Sequence, residues 1–169
     1  MRMIWVPLVV LLALACVSDL RTRRIPNLLV LVTVIAGIVV AVSTTSWSAG
    51  LIQAGTGLGT GLVIWLPFYA LGMLGAGDVK LFAAASTFLG PRSAVEASLY
   101  TAFYGGVLAL GYMLARSGVA STLIRVSQGV RQPELLRNDP TAQRRRMPYA
   151  LAIAAGVLTV VFWPGYIVT

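Results

Sequence analysis

The chain has 169 residues and a mass of 17.9 kDa, with 58% hydrophobic residues, 11% charged residues and a mean hydropathy of +0.86. A soluble domain averages about 25% charged residues, and a chain this poor in charge cannot cover its own surface; a polytopic membrane protein is expected, and a disordered chain, a coiled coil and a disulfide-stapled module are excluded. One cysteine, Cys16, precludes an internal disulfide or a cysteine-built zinc site, and the lack of histidine removes histidine acid–base chemistry, histidine-dependent triads and imidazole metal ligands.

Apolar runs then recur along the chain between polar or glycine-rich breaks. The first covers residues 3–17. It has some likeness to a lipoprotein signal ending at Cys16, but Ala13 and Leu14 fit the lipobox order poorly, and Arg21, Arg23 and Arg24 would resist export. A retained helix is expected. The polar stretch 18–27 follows, then the run 28–42 and a break at 43–48. The third run, 49–74, carries Gly55, Gly57, Gly59 and Gly61, which make two overlapping faces of small residues four apart. Such faces let helix backbones approach closely, within one chain or between copies in a homo-oligomer. Pro67 is expected to kink this helix. After Gly75-Ala76-Gly77-Asp78 comes the short run 79–89, about 16 Å as a helix against roughly 30 Å of hydrocarbon. Asp78 and Lys80 are thereby drawn to the membrane boundary or inside it. Gly90-Pro91-Arg92 ends that run, 94–115 is the fifth and 149–168 the last. Between them, 116–147 is basic; Val119, Leu123, Val126 and Val130 suit a helix lying on the membrane surface, whereas Gly129 and Pro133 suit an irregular tether. The expected fold is all-α, one membrane-embedded domain over 1–169 with six transmembrane helices.

Charge sets the expected orientation. Thirteen Lys and Arg stand against five Asp and Glu, a formal charge of +8. In so hydrophobic a chain, this balance points to loops held against anionic lipid rather than to nucleic acid. The loops 18–27, 75–80 and 116–147 share one side of a six-span arrangement and hold every cation except Arg2 and Arg92. By the positive-inside rule those loops are cytoplasmic and both termini lie outside.

The acids are unevenly placed. Glu96 lies near the expected outer surface, and Glu134 and Asp139 sit among arginines in the large loop. Asp19 and Asp78 each stand where an apolar run meets a cytoplasmic loop, and an ionisable group at membrane depth is a functional candidate. Two carboxyls brought together can share one proton. The ionised member then takes a proton from water while the protonated member polarises a carbonyl, which makes a hydrolytic pair. Plainer roles exist for both: Asp19 as a solvated partner of Arg21 or Arg23, and Asp78 as the N-cap of a helix starting at Val79. Gly75 and Gly77 either end the third helix or leave backbone bare beside Asp78, where an extended peptide can approach.

Three segments resemble the signatures of the type IV leader peptidases (prepilin peptidases). Asp19-Leu20-Arg21-Thr22-Arg23-Arg24-Ile25-Pro26-Asn27 resembles the first-aspartate motif. Gly75-Ala76-Gly77-Asp78-Val79-Lys80-Leu81 resembles the GxGD signature shared with other intramembrane aspartic proteases, and Met147-Pro148-Tyr149-Ala150 resembles a weaker third signature. The resemblance implies an enzyme without a cofactor in the bacterial or archaeal cytoplasmic membrane. It removes the basic leader of prepilins or pseudopilins at the cytoplasmic face, with Asp19 and Asp78 as the catalytic pair. Arg24, Pro26 and Asn27 would shape the first loop, and Lys80 would tune the pair, contact substrate or simply snorkel to the headgroups. Longer family members carry an extra domain with paired cysteines and are associated with methylation of the new N-terminus. Here Cys16 has no partner, as in the short form linked to tight-adherence pili, so methylation is not expected. The competing reading is a small transporter, channel or structural subunit of a pilus machine that uses the two aspartates as a cation site.

Overall fold

The computed structural model describes residues 2–116 and 149–163. The basic stretch 117–148, with the surface helix or tether expected there, lies outside the described residues, as does the end of the last apolar run.

Among the described residues the regular structure is entirely helical. A short 3-10 turn, Arg2–Trp5, leads into α1 (Val6–Thr22), followed by α2 (Asn27–Thr44), α3 (Trp47–Ala70), α4 (Ala76–Arg116) and α5 (Ala150–Phe162). The all-α expectation therefore holds. Two helices, α2 and α3, are long and apolar enough to cross a membrane, and α5 is a shorter apolar helix. Their outward faces carry the inverse of a soluble surface: Leu28, Leu31, Ile35 and Val39 on α2 and Ile52 and Val63 on α3 are exposed. Apolar faces of that extent suit a lipid surround.

Helix α4 is the centre of the bundle. It packs against α2, α3 and α5, while α1 lies against α2 and α5. Gly90, at φ 75° and ψ 176°, interrupts α4 and Pro91 follows it, so the helix has two arms. The first arm, 76–89, is about 20 Å long and is almost entirely buried from Leu81 to Phe88. This explains how so short a run fits within a membrane-sized bundle: it faces protein on every side. Its two internal hydroxyls cause no polar deficit, because Ser86 donates to the Phe82 carbonyl at 2.8 Å and Thr87 to the Ala84 carbonyl at 2.6 Å.

Close helix approach depends on the glycines of α3, but on only one of the two expected faces. A Cβ on Gly57 would overlap the Ser86 carbonyl, and one on Gly61 would come within 2.9 Å of Ala83 Cα. Gly55 and Gly59 face open space. The α3–α4 contact thus runs along Gly57–Gly61 against the first arm of α4. On the other side, the second arm meets α5 where Gly156 sits on Thr101.

Two helix boundaries differ from those expected. α1 continues through Ser18–Thr22, so Asp19 stands on the last turns of a helix and the connection to α2 is only residues 23–26. α4 begins at Ala76, before Asp78, so Asp78 is not the N-cap of a helix starting at Val79.

Candidate active site

The first motif forms a tightly closed turn. Arg23 adopts a left-handed conformation (φ 52°, ψ 32°), and its amide donates to the Asp19 carbonyl at 2.8 Å, ending α1. Ser18 Oγ and Thr22 Oγ1 then both donate to the Arg24 carbonyl, at 2.9 and 3.2 Å. Pro26 is the N-cap of α2, and its carbonyl accepts from the Leu29 and Val30 amides at 3.0 and 3.3 Å. Proline suits this place because it fixes φ and restrains the residue before it. Arg24 and Pro26 thus shape the loop through their backbones.

The second motif starts α4. Asp78, in the first turn, accepts from the Gly75 amide through Oδ2 at 3.2 Å, while the Asp78 amide donates to the Gly75 carbonyl at 3.1 Å. This reciprocal pairing is the logic of a capping box, in which the third residue of a helix reaches back to the residue that caps it. It satisfies backbone groups that a helix start leaves unpaired. Gly75 is buried and Gly77 half-buried.

The two turns meet. Ile25 lies against Gly77, with its Cβ 3.4 Å from where a Gly77 Cβ would stand. Lys80 Nζ donates to Asn27 Oδ1 at 3.4 Å, joining the starts of α4 and α2. All eight residues singled out from the sequence (Asp19, Arg24, Pro26, Asn27, Gly75, Gly77, Asp78 and Lys80) therefore lie in these two neighbouring turns.

A third element joins them. Asp19 is only 6% exposed, which sets aside a solvated loop anion. Its Oδ2 accepts from the Ala150 amide at 3.2 Å, at the first residue of α5. Cys16 Sγ, one turn earlier, donates to the Ala150 carbonyl at 3.5 Å. Beside Ala150, Tyr149 stands half-buried. The start of α5 is thus held by Asp19. Tyr149 and Ala150 belong to the third, weaker motif, but no local pattern marked the Ala150 amide as a partner of Asp19. Trp65, whose ring meets Tyr149 edge-on at 5.9 Å, also escaped the sequence reading. An apolar run gives no reason to single out one aromatic residue.

Electrostatically, the carboxyls share one feature: each faces a helix N-terminus, Asp78 that of its own α4 and Asp19 that of α5, where the peptide dipoles favour negative charge. Asp19 lies beyond the apolar run 3–17, among polar neighbours. Its pKa is nevertheless raised above the ordinary aspartate value, because burial disfavours the charged form more than the Ala150 amide and the Arg23 charge favour it. A carboxyl so placed can hold a proton at a pH where an exposed aspartate cannot.

The sequence profile of the type IV leader peptidase family matches residues 6–113, a segment that includes both aspartate turns. The chain belongs to the type IV leader peptidase family. Searches of curated proteins and of solved structures each returned no match. Membership identifies a peptidase, and together with the two membrane-length apolar helices it indicates a membrane protein.

Proposed function

We propose that this protein is a membrane-embedded aspartic endopeptidase that removes the N-terminal leader of type IV prepilins or pseudopilins. One observation carries the reading: the two aspartate motifs meet, with Ile25 against Gly77 and Lys80 donating to Asn27, while Asp19 holds the Ala150 amide at the start of α5. In this reading one of the pair is ionised and the other protonated. The ionised carboxylate takes a proton from water as the water oxygen bonds to the scissile carbonyl carbon, and the protonated carboxyl gives its proton to the carbonyl oxygen. Collapse of the resulting diol breaks the C–N bond: the carboxyl that took the water proton gives it to the leaving nitrogen, and a diol hydroxyl returns its proton to the other carboxylate, which restores the one-proton pair. The remaining parts of the reading are one domain over 1–169, six membrane spans and a site at the cytoplasmic face. They rest on the run lengths and on the cations gathered in 18–27, 75–80 and 116–147.

The test is leader removal from a small prepilin, co-expressed or mixed with purified protein and followed by gel mobility. Asp19→Asn and Asp78→Asn should each abolish cleavage while the protein still inserts. The double variant should be no worse than either single, because residues acting as a unit are not additive. Near-normal processing by either single variant would remove that residue from the pair and return weight to the cation-site reading.

A further inference from the structure

Deep in the bundle, Trp65 is 4% exposed, yet its indole N–H has no hydrogen-bond partner among the described residues. A buried tryptophan N–H ordinarily finds an acceptor, and a buried donor without one calls for an explanation. The surroundings of this ring supply one. Its centroid lies 5.2 Å from that of Phe82, which stands one helical turn beyond Asp78 on the same face of α4. On another side it lies 5.9 Å from Tyr149, edge-on at 63°, and Tyr149 directly precedes the amide that holds Asp19. The indole therefore touches one ring that stands a turn beyond Asp78 and another that precedes the amide held by Asp19. The other buried polar atom without a partner among the described residues, Thr101 Oγ1, lies at the crossing of α4 and α5 against Gly156 and has no such relation to the pair.

We propose that the Trp65 N–H donates to a backbone carbonyl oxygen of the bound peptide, next to the bond lying between Asp19 and Asp78. A peptide cut at a fixed bond must be held extended, and an extended backbone presents carbonyl oxygens that need donors once they leave water. Tyr149, half-buried and edge-on to the indole, is the ring that yields to admit it. The donor is satisfied on binding, so the peptide, not the fold, gains the hydrogen bond. Loss of Trp65 then costs substrate affinity more than stability.

This inference rests on the leader-peptidase reading, and the experiment separates the two. Trp65→Phe keeps an aromatic ring and removes the N–H. Its kcat/KM on a leader-junction peptide should fall about tenfold, mainly through KM, with Tm lowered only modestly, because loss of the unsatisfied donor offsets part of the cavity that the smaller ring leaves. In the Asp78→Asn background, the Trp65 indole N–H resonance, assigned by its loss in Trp65→Phe, should move downfield as uncut peptide saturates the protein. If kcat/KM stays within twofold of wild type, or if the resonance stays put while peptide binds, the donor is overturned. Equal losses of Tm and activity with an unmoved resonance would make Trp65 a packing residue only. A resonance that moves with bound peptide, in a protein that cleaves no prepilin, keeps the donor and overturns the leader reading. No movement and no cleavage overturns both.

Discussion

Asp19 shows how much one side chain carries here. It is the carboxyl of the first motif, and it is also the group that satisfies an amide at the start of α5, one of the donors a helix end leaves unpaired. These roles separate by substitution. Asparagine retains an oxygen that can accept from Ala150, so Asp19→Asn should keep its fold while losing cleavage. Asp19→Ala leaves the amide buried without a partner and should lower stability by about 1–3 kcal/mol, read by thermal unfolding in detergent. The raised pKa adds a dependence on pH with a definite sign. The folded protein binds this proton more tightly than the unfolded chain does, so wild type loses stability as pH rises from the unfolded aspartate value through the folded one. Asp19→Asn has no proton to lose at this position. Its Tm relative to wild type should therefore climb as pH is raised from about 4 and then level off. A flat difference would mean that burial of the charge costs nothing. The identity of Asp19 as the acid of interest was legible from its place at the edge of an apolar run. Its partner was not, because 131 positions separate it from Ala150 and only the packing of α1 on α5 joins them.

At the scale of helices, the glycines of α3 make the same point in another form. Gly55, Gly57, Gly59 and Gly61 satisfy the spacing for close packing on two faces equally well, and nothing local chooses between them. The structure chooses through its neighbours, since Gly57 and Gly61 meet the backbone of α4 and the other two meet nothing. Alanine substitutions should divide accordingly. Gly57→Ala and Gly61→Ala push α3 from α4 and should cost about 1–3 kcal/mol, whereas Gly55→Ala and Gly59→Ala should be neutral or gain up to ~1 kcal/mol of helix propensity. Thermal unfolding of the four variants in one detergent tests this, and equal effects on both faces would contradict the packing. Helix ends were legible only in part. Charge and polarity in 18–27 mark a break in hydrophobicity, and α1 runs five residues into it because Ser18, Thr22 and the left-handed Arg23 close the turn locally. Hydropathy reports where the lipid-facing surface stops, while hydrogen bonding decides where the helix stops. At Gly90, by contrast, the Gly-Pro pair that marked the end of the short run is where the backbone of α4 departs from helix.

For the whole molecule, the decisive property is that two turns far apart in sequence close on one another at one end of the bundle. Ile25 on Gly77, Lys80 on Asn27 and the hold of Asp19 on the Ala150 amide bring the two turns and the start of α5 together. Cysteines replacing Asp19 and Asp78 in a Cys16→Ala background should therefore be joined efficiently by a short bifunctional thiol reagent. A direct disulfide is not required, since that bond needs Cα atoms within roughly 7 Å. The control pair is Asp19 with Glu96. After the break at Gly90 the second arm of α4 runs back and regains the level of the site where Gly105 packs on Tyr149. Glu96 lies about 13 Å short of that level along the helix, where it pairs loosely with Arg92 at 4.0 Å. It is also 6% exposed, so a cysteine there meets reagent poorly as well as lying too far away. Reactivity of each single cysteine toward a monofunctional reagent must therefore be measured alongside, so that absence of a crosslink reports distance. Joining of the aspartate pair with none in the control is the expected outcome. The reverse pattern would separate the two motifs in space and leave Asp78 without a role in any site that contains Asp19.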